Sequence, residues 1–474
     1  MLFTSLNFLL IFLPLLFIGY FAVPKRFVAA RRYVLMAFSF LFYASGEPIY
    51  FFAILLCVFL TWLLSNGTAQ RKKLPFLLSL AINLLPLIIF KYLDFIIINI
   101  NLIPFINIPL TNLTMPIGIS FYTFQMLTYI IDLYGGKVQR QKNFGYLALY
   151  IFLFPQLIAG PIVRYSDIEE ALGQCNENWE TIKTGVMRFI KGLAKKMLLA
   201  NQISYISDTI VAGGLDTITA PMMWLAVSCC AIQIYFDFSG YSDMAIGLGK
   251  MFGFDFPENF KMPFSSTSIS EFWRRWHISM STFFRDYIYI PMGGSRVSKG
   301  RFILNTLVVW SVTGLWHGAA WNYVLWGLYY GVVLLIEKFF LRSLLEKLPR
   351  FICWCYTAFL TVIGFSIFMN DSNSLSRMAD FTLRLFGVGE VTDPNTIRIL
   401  ELEAYIPYLV IGLFFCLPIR TWIGKALDRL GSVKAKAIAI PYSIVYDLVY
   451  IATLAVCIVF VVGGSYNPFL YFRF

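Results

Sequence analysis

Residues 1–23 read MLFTSLNFLLIFLPLLFIGYFAV, and residues 24–32 continue PKRFVAARR. An uncharged apolar run of this length, with its first cations Lys25, Arg26, Arg31 and Arg32 placed just after it, has the pattern of a membrane-crossing helix whose far end is cytoplasmic. The run lacks the basic leading segment and the small-residue cleavage site of a secretory leader. It therefore reads as a retained first helix with the N-terminus outside.

The same alternation extends along the chain. Arg71, Lys72 and Lys73 read as cytoplasmic, with Gly46-Glu47-Pro48 outside between the two basic groups. Lys183, Arg188, Lys191, Lys195 and Lys196 read as cytoplasmic, and so do Lys425, Arg429, Lys434 and Lys436. From that last cluster, an apolar stretch over 441–463 crosses outward and leaves the tail, 464–474, extracytoplasmic. Several apolar stretches are too short to span alone, or contain Pro or Gly, as tilted, broken or re-entrant helices buried in protein would. The expectation is an all-α polytopic integral membrane protein, one membrane domain over 1–474, with about 11 transmembrane helices plus re-entrant elements.

Composition excludes the soluble classes. The 474 residues are 59% hydrophobic and 14% charged, against about 25% charged in an ordinary soluble domain. That apolar surface needs a lipid bilayer as its partner. A net charge of +12 raises the question of nucleic acid, but no long basic run or aromatic-interleaved basic motif occurs, so no nucleic-acid partner is expected. The cations suit the positive-inside rule and an anionic cytoplasmic ligand such as coenzyme A. Eight cysteines are scattered without CxxC or Cys/His spacing, so neither a metal nor a redox site is expected.

Polar residues in three apolar neighbourhoods carry the chemistry. Only two histidines exist, His277 and His317. His317 lies in VWSVTGLWHGAAWN, 309–322, mid-way along apolar sequence and among three tryptophans. An ionisable group at membrane depth marks a functional site by default. A neutral imidazole can take a proton from a hydroxyl while that hydroxyl attacks a thioester, and burial disfavours the charged form. The competing reading is a structural histidine hydrogen-bonded between helices. Gly314 and Gly318 would let backbone or substrate approach closely.

His277 lies in EFWRRWHISMSTFFRDYIYIP, 271–291. Glu271, Arg274, Arg275 and Asp286 are too polar for lipid, while Trp273, Trp276 and Phe283 are too apolar for water as a set. Arg274 and Arg285 are eleven apart, about three helical turns, so on a continuous helix they share a face. A protein-buried polar helix lining a cavity fits this composition; an interfacial helix with snorkelling arginines is the other reading. In QIYFDFSGYSD, 233–243, Asp237 and Asp243 need partners, and the arginines of 274–285 are the candidates. Purely structural ion pairing is equally open for them. No GxSxG or GxxxxGK[ST] motif is present.

These residues, with PIGISFYTFQ (116–125), FPQLIAGPIVR (154–164), FDFSGYSDMA (236–245), PENF (257–260), 272–291 and LWHG (315–318), resemble the membrane-bound O-acyltransferase family, and more narrowly its bacterial alginate O-acetyltransferase branch. The resemblance covers most of the chain in order, is weakest around 370–440, and places the family core at about 115–342. It implies a ring of helices around a central tunnel open to acyl donor from the cytoplasm. It implies that His317 is the family's central histidine and His277 its second polar position. The donor implied is acetyl-CoA, with its phosphates near Lys195, Lys196, Arg274 or Arg275, and with Asp237, Asp243, Arg285 and Asp286 as polar residues of the tunnel. The location implied is a bacterial cytoplasmic membrane.

The tail FLYFRF, 469–474, resembles the C-terminal aromatic motif of cell-envelope members. Tyr471 on an external tail could fold back and accept the acyl group, since a phenolic oxygen becomes a nucleophile once a base removes its proton; aromatic anchoring at the interface is the alternative. The function implied is acetyl transfer to an exported polysaccharide or peptidoglycan, completed by an extracytoplasmic partner protein. D-alanyl transfer to teichoic acid is the alternative enzyme, for which the motif would lie on a separate partner. A non-catalytic conduit would show inverted repeats, and no such symmetry is evident.

Overall fold

The computed structural model describes residues 1–158, 160–370, 374–391, 402–418 and 432–464. Lys425, Arg429 and the whole FLYFRF tail with Tyr471 lie outside the described residues. Every regular element among the described residues is helical. The chain forms two compact units: Met1–Phe189 with Ser242–Pro257, and Ile190–Tyr241 with Glu258–Phe474.

The first unit begins with α1 (Asn7–Ala22), α2 (Val28–Ala44), α3 (Pro48–Ala69) and α4 (Lys73–Ile100). Pro48 sits in the first turn of α3, where its missing N–H costs nothing. Then come α5 (Ile119–Gly135), α6 (Phe144–Phe152), α7 (Tyr165–Leu172) and α8 (Trp179–Ala194), which runs on into the second unit. The apolar residues after Phe144 do not form one continuous helix: α6 ends at Phe152 and a short turn, Phe154–Leu157, follows it. Gly118 opens α5 at φ 78°. A Cβ there would sit 2.6 Å from the Leu157 carbonyl oxygen, so the close approach to that turn requires glycine.

Two of the cations that orient the first span are folded into protein. Arg32 is fully buried and donates to the carbonyls of Phe252 (3.0 Å), Ala171 (2.8 Å) and Gln174. Arg31 pairs with the buried carboxylate of Glu177. Taken from water, these charges hold only because carbonyls and a carboxylate surround them.

The second unit contains α9 (Asn201–Ala212), most of α10 (Ala220–Met251), and two short helices, α11 (Ile269–Arg275) and α12 (Ile278–Phe284). It continues with α13 (Lys299–His317), α14 (Trp321–Ile336), α15 (Arg350–Phe368), α16 (Leu375–Leu383), α17 (Ile406–Phe415) and α18 (Ser432–Val462).

Among the described residues, five helices are long and apolar enough to cross a membrane: α3, α4, α10, α14 with its continuation to Leu345, and α15. Shorter apolar helices cover Asn7–Ala22, Glu403–Phe415 and Asp447–Val462. The chain is a multi-pass helical membrane protein. In α10, 72% of the apolar window is buried in protein, against 17–39% in the other four. That burial explains why α10 alone of these carries two aspartates inside its apolar run: they face protein and not lipid.

Candidate active site

The site is built on the second unit, where α13 and α14 pack backbone to backbone. A Cβ on Gly314 would lie 2.1 Å from the Tyr323 carbonyl oxygen, and one on Gly327 2.1 Å from that of Trp310. A Cβ on Gly318 would meet the Tyr323 ring at 2.1 Å. The glycines beside His317 thus admit neighbouring backbone and a tyrosine ring. Gly314→Ala is expected to force the two helices apart, because the obstructing atoms are main chain and cannot rotate away. Overpacking of this kind costs typically about 1–3 kcal/mol, to be read as a lower unfolding midpoint in detergent and a smaller monodisperse fraction.

His317 is the last residue of α13 and is half-buried. Its ring centre lies 4.9 Å from Trp316, 5.0 Å from Trp326 and 5.4 Å from Phe368, in edge-on arrangements. His277 is fully buried, and its ring centre is 6.5 Å from that of His317. The two histidines, forty positions apart, share one site. Phe238 from α10 packs edge-on against His277 at 4.6 Å, and Trp316 lies 5.7 Å away.

The backbone at His277 breaks the helical spacing on which Arg274 and Arg285 could share a face. His277 adopts φ 46°, ψ 54°, and this left-handed residue separates α11 from α12. Arg274 and Arg285 therefore lie on different elements and do not share a helical face. A non-glycine residue in this region costs on the order of 1–3 kcal/mol and persists only where its surroundings over-determine it. Here they do. The Ile278 N–H donates to the Asn259 carbonyl at 2.9 Å, and the Lys261 N–H donates to the Arg275 carbonyl at 2.9 Å. The Asn259 side-chain oxygen lies 3.1 Å from His277 Nδ1 and accepts from Ser279 Oγ at 2.9 Å.

The start of α11 is held equally firmly. Buried Glu337 accepts from the Ile269 N–H (2.6 Å), the Ser270 N–H (2.9 Å) and Ser270 Oγ (2.8 Å). Ser268 caps the helix by accepting from the Glu271 N–H at 3.0 Å. A carboxylate at a helix N-terminus satisfies donors that have no partner in the helix. The segment presenting His277 is thus pinned at both ends.

His277 lies on the connection between two short helices, outside the spanning ones. Burial pushes its pKa well below the usual histidine value, and the nearby His317 ring adds to the shift. Both influences favour the neutral imidazole.

The remaining expected site residues are distributed as follows. Asp237 pairs with Lys196 at 2.8 Å, both side chains almost wholly enclosed. Lys195 donates to Ser239 Oγ at 3.2 Å. In the first unit, Asp243 pairs with Arg188 at 2.9 Å. The arginines of 274–285 are not their partners: Arg275 bonds Glu271 (2.5 Å) and Ser265 Oγ (2.9 Å), Arg285 bonds Asp286 (2.6 Å), and Arg274 is exposed. The cations come instead from the helical stretch 188–196, which lies alongside α10. Asn259, Trp326, Glu337 and Phe368 join the site without having been singled out from the sequence. Glu337 had a signal, a carboxylate closing an apolar stretch, and Asn259 sits in the quoted PENF.

Comparison with known proteins identifies the family. The model of MBOAT, the membrane-bound O-acyltransferase family, matches residues 140–376, which include both histidines. The chain is 35% identical over 508 residues to the probable alginate O-acetylase AlgI of Azotobacter vinelandii, with all of both chains covered. It is 32% identical over 398 residues to the peptidoglycan O-acetyltransferase of Helicobacter pylori, covering 75% of each. The teichoic acid D-alanyltransferase of Bacillus subtilis is 30% identical over 307 residues, covering 60% of this chain and 75% of the relative. By the family model and by the full-length likeness to the alginate O-acetylase, the chain belongs to the membrane-bound O-acyltransferase family and is an acyltransferase.

Proposed function

We propose that the protein moves acetyl groups from cytoplasmic acetyl-CoA to hydroxyls of an exported cell-envelope glycan, with His317 as the base and His277 beside it. The observation that carries this reading is the pair of imidazoles with ring centres 6.5 Å apart, one fully enclosed and one half-open, walled by Trp316, Trp326 and Phe368. Two such rings, one of them enclosed in protein, can address one hydroxyl between them. Removal of the hydroxyl proton lets the oxygen bond to the thioester carbonyl carbon; the C–S bond breaks, and the thiolate leaves as the thiol after taking up a proton.

The architecture that goes with it is one membrane domain, with its core at about 115–342 and about 11 spans around a tunnel (an even number of full crossings, since both termini lie outside), in a bacterial cytoplasmic membrane. Of the four cations considered for donor phosphates, Arg274 is exposed while Lys196 is enclosed with Asp237. The phosphates are accordingly assigned to Arg274, with Arg275 and Lys195 next to be tested. Arg285 and Asp286, bonded to each other, line the route as a polar pair. Acetyl in preference to D-alanyl is supported by the relatives named for O-acetyl transfer, which match this chain at 35% identity over all of it and 32% over 75% of it, against 30% over 60% for the D-alanyltransferase. An extracytoplasmic partner protein completes delivery to the glycan.

Tyr471 is assigned as a relay that carries the acetyl group to the outer face. Tyr471→Phe, which removes one oxygen, is expected to abolish labelling of the external acceptor in membranes supplied with radiolabelled acetyl-CoA, at unchanged expression. Full labelling in that variant would end the relay, and labelling from D-alanyl donors in place of acetyl-CoA would favour the alternative enzyme.

A further inference from the structure

We propose that Asn259 is a positioning residue that fixes His277 in the Nδ1–H tautomer, so that the His277 Nε2 can accept a proton or a hydrogen bond but cannot donate one. This deepens the reading above and rests on it for the role of His277 in the reaction.

The argument begins with which atom of Asn259 faces the ring. An amide's oxygen and nitrogen have the same shape and are told apart by their partners. The atom facing His277 also meets the backbone N–H of Ser279 at 3.3 Å and Ser279 Oγ at 2.9 Å. A backbone N–H can only donate. The atom it meets is therefore the oxygen, and Asn259 is fully buried, away from solvent.

That oxygen lies 3.1 Å from His277 Nδ1. Two acceptors cannot bond each other, so Nδ1 carries the hydrogen. A neutral imidazole has one N–H, and burial keeps this ring neutral. Nε2 then bears a lone pair. The arrangement is rigid. The Asn259 backbone accepts from Ile278 at 2.9 Å while its side chain holds Nδ1, so one residue grips His277 from both sides of its left-handed turn.

The consequence is a division of roles. A neutral His277 held this way cannot stabilise an oxyanion through Nε2, because it has no hydrogen there to offer. It can receive the hydrogen of a hydroxyl or of a neighbouring N–H. Hydrogen bonds that set a tautomer from behind a working imidazole govern its chemistry without touching the substrate.

The chain's composition makes the test clean, because it holds only two histidines. The full-length protein is labelled with ¹⁵N-histidine in detergent or nanodiscs, and His277→Asn assigns the signals by removing one ring. The expected spectrum has the His277 Nδ1 protonated and Nε2 unprotonated. Asn259→Leu removes the acceptor at similar volume, and is expected to move the ring to the Nε2–H form and to lower acyl transfer about 10- to 100-fold, the scale of lost second-layer hydrogen bonds. Asn259→Asp still offers an oxygen to Nδ1–H, and is expected to keep the tautomer and recover transfer relative to the Leu variant. A wild-type ring protonated at Nε2, or an unchanged tautomer in Asn259→Leu, would overturn the proposal. Should the Leu variant fail to fold, the wild-type spectrum decides alone. Because the spectrum does not depend on turnover, an inactive wild type with the expected tautomer counts against the catalytic reading and not against the role of Asn259.

Discussion

His317→Ala is expected to lower acyl transfer by roughly 10²- to 10⁴-fold, the range over which a positioned general base contributes, while the protein stays folded. His317 ends α13 and is half-buried, so its loss opens no large cavity. Adding His277→Asn is expected to cost little beyond the single change, since groups that act as a unit lose their effect together. Asn is the chosen replacement because it tolerates the left-handed backbone at 277. Initial rates with labelled acetyl-CoA, in membranes at matched expression, read both effects. Fully multiplicative losses would mean that the two rings act in separate steps.

The second large effect is on stability. Lys196 and Asp237 have side-chain exposures of 2% and 6% and meet at 2.8 Å. Removing one partner strands a buried charge and costs about 3–5 kcal/mol, whereas replacing both by apolar residues of similar volume is often neutral. Lys196→Met is therefore expected to lower the denaturation midpoint in detergent sharply, and Lys196→Met with Asp237→Leu to recover most of it. If Lys196 instead served the donor phosphates, the single variant would stay stable and show a raised KM for acetyl-CoA.

The features legible in the sequence were those fixed by local composition. Uncharged runs bounded by cations gave the membrane class, and a histidine among tryptophans in apolar sequence pointed to the candidate site. The unread features depend on which helix lies beside which. Asp237 and Asp243 had too many available cations, and only the packing of the stretch 188–196 along α10 selects Lys196 and Arg188. The break at His277 escaped because nothing in FWRRWHIS lowers helix propensity enough to end a helix. The φ of 46° is imposed from outside by Asn259, eighteen residues upstream. Glu337 is a similar case: its carboxylate caps α11 from sixty-eight residues further along the chain. Long-range hydrogen bonds of this kind hold the site in shape, and no periodicity announces them.

The central claim is directional: acetyl enters from the cytoplasmic face and reaches an acceptor outside by way of His317. Sealed vesicles of both orientations, each given labelled acetyl-CoA externally, test it directly. The account predicts labelled glycan only in inverted vesicles, where the donor meets the cytoplasmic face, and none there with His317→Ala. Equal labelling in the two orientations, or undiminished labelling with His317→Ala, would contradict it.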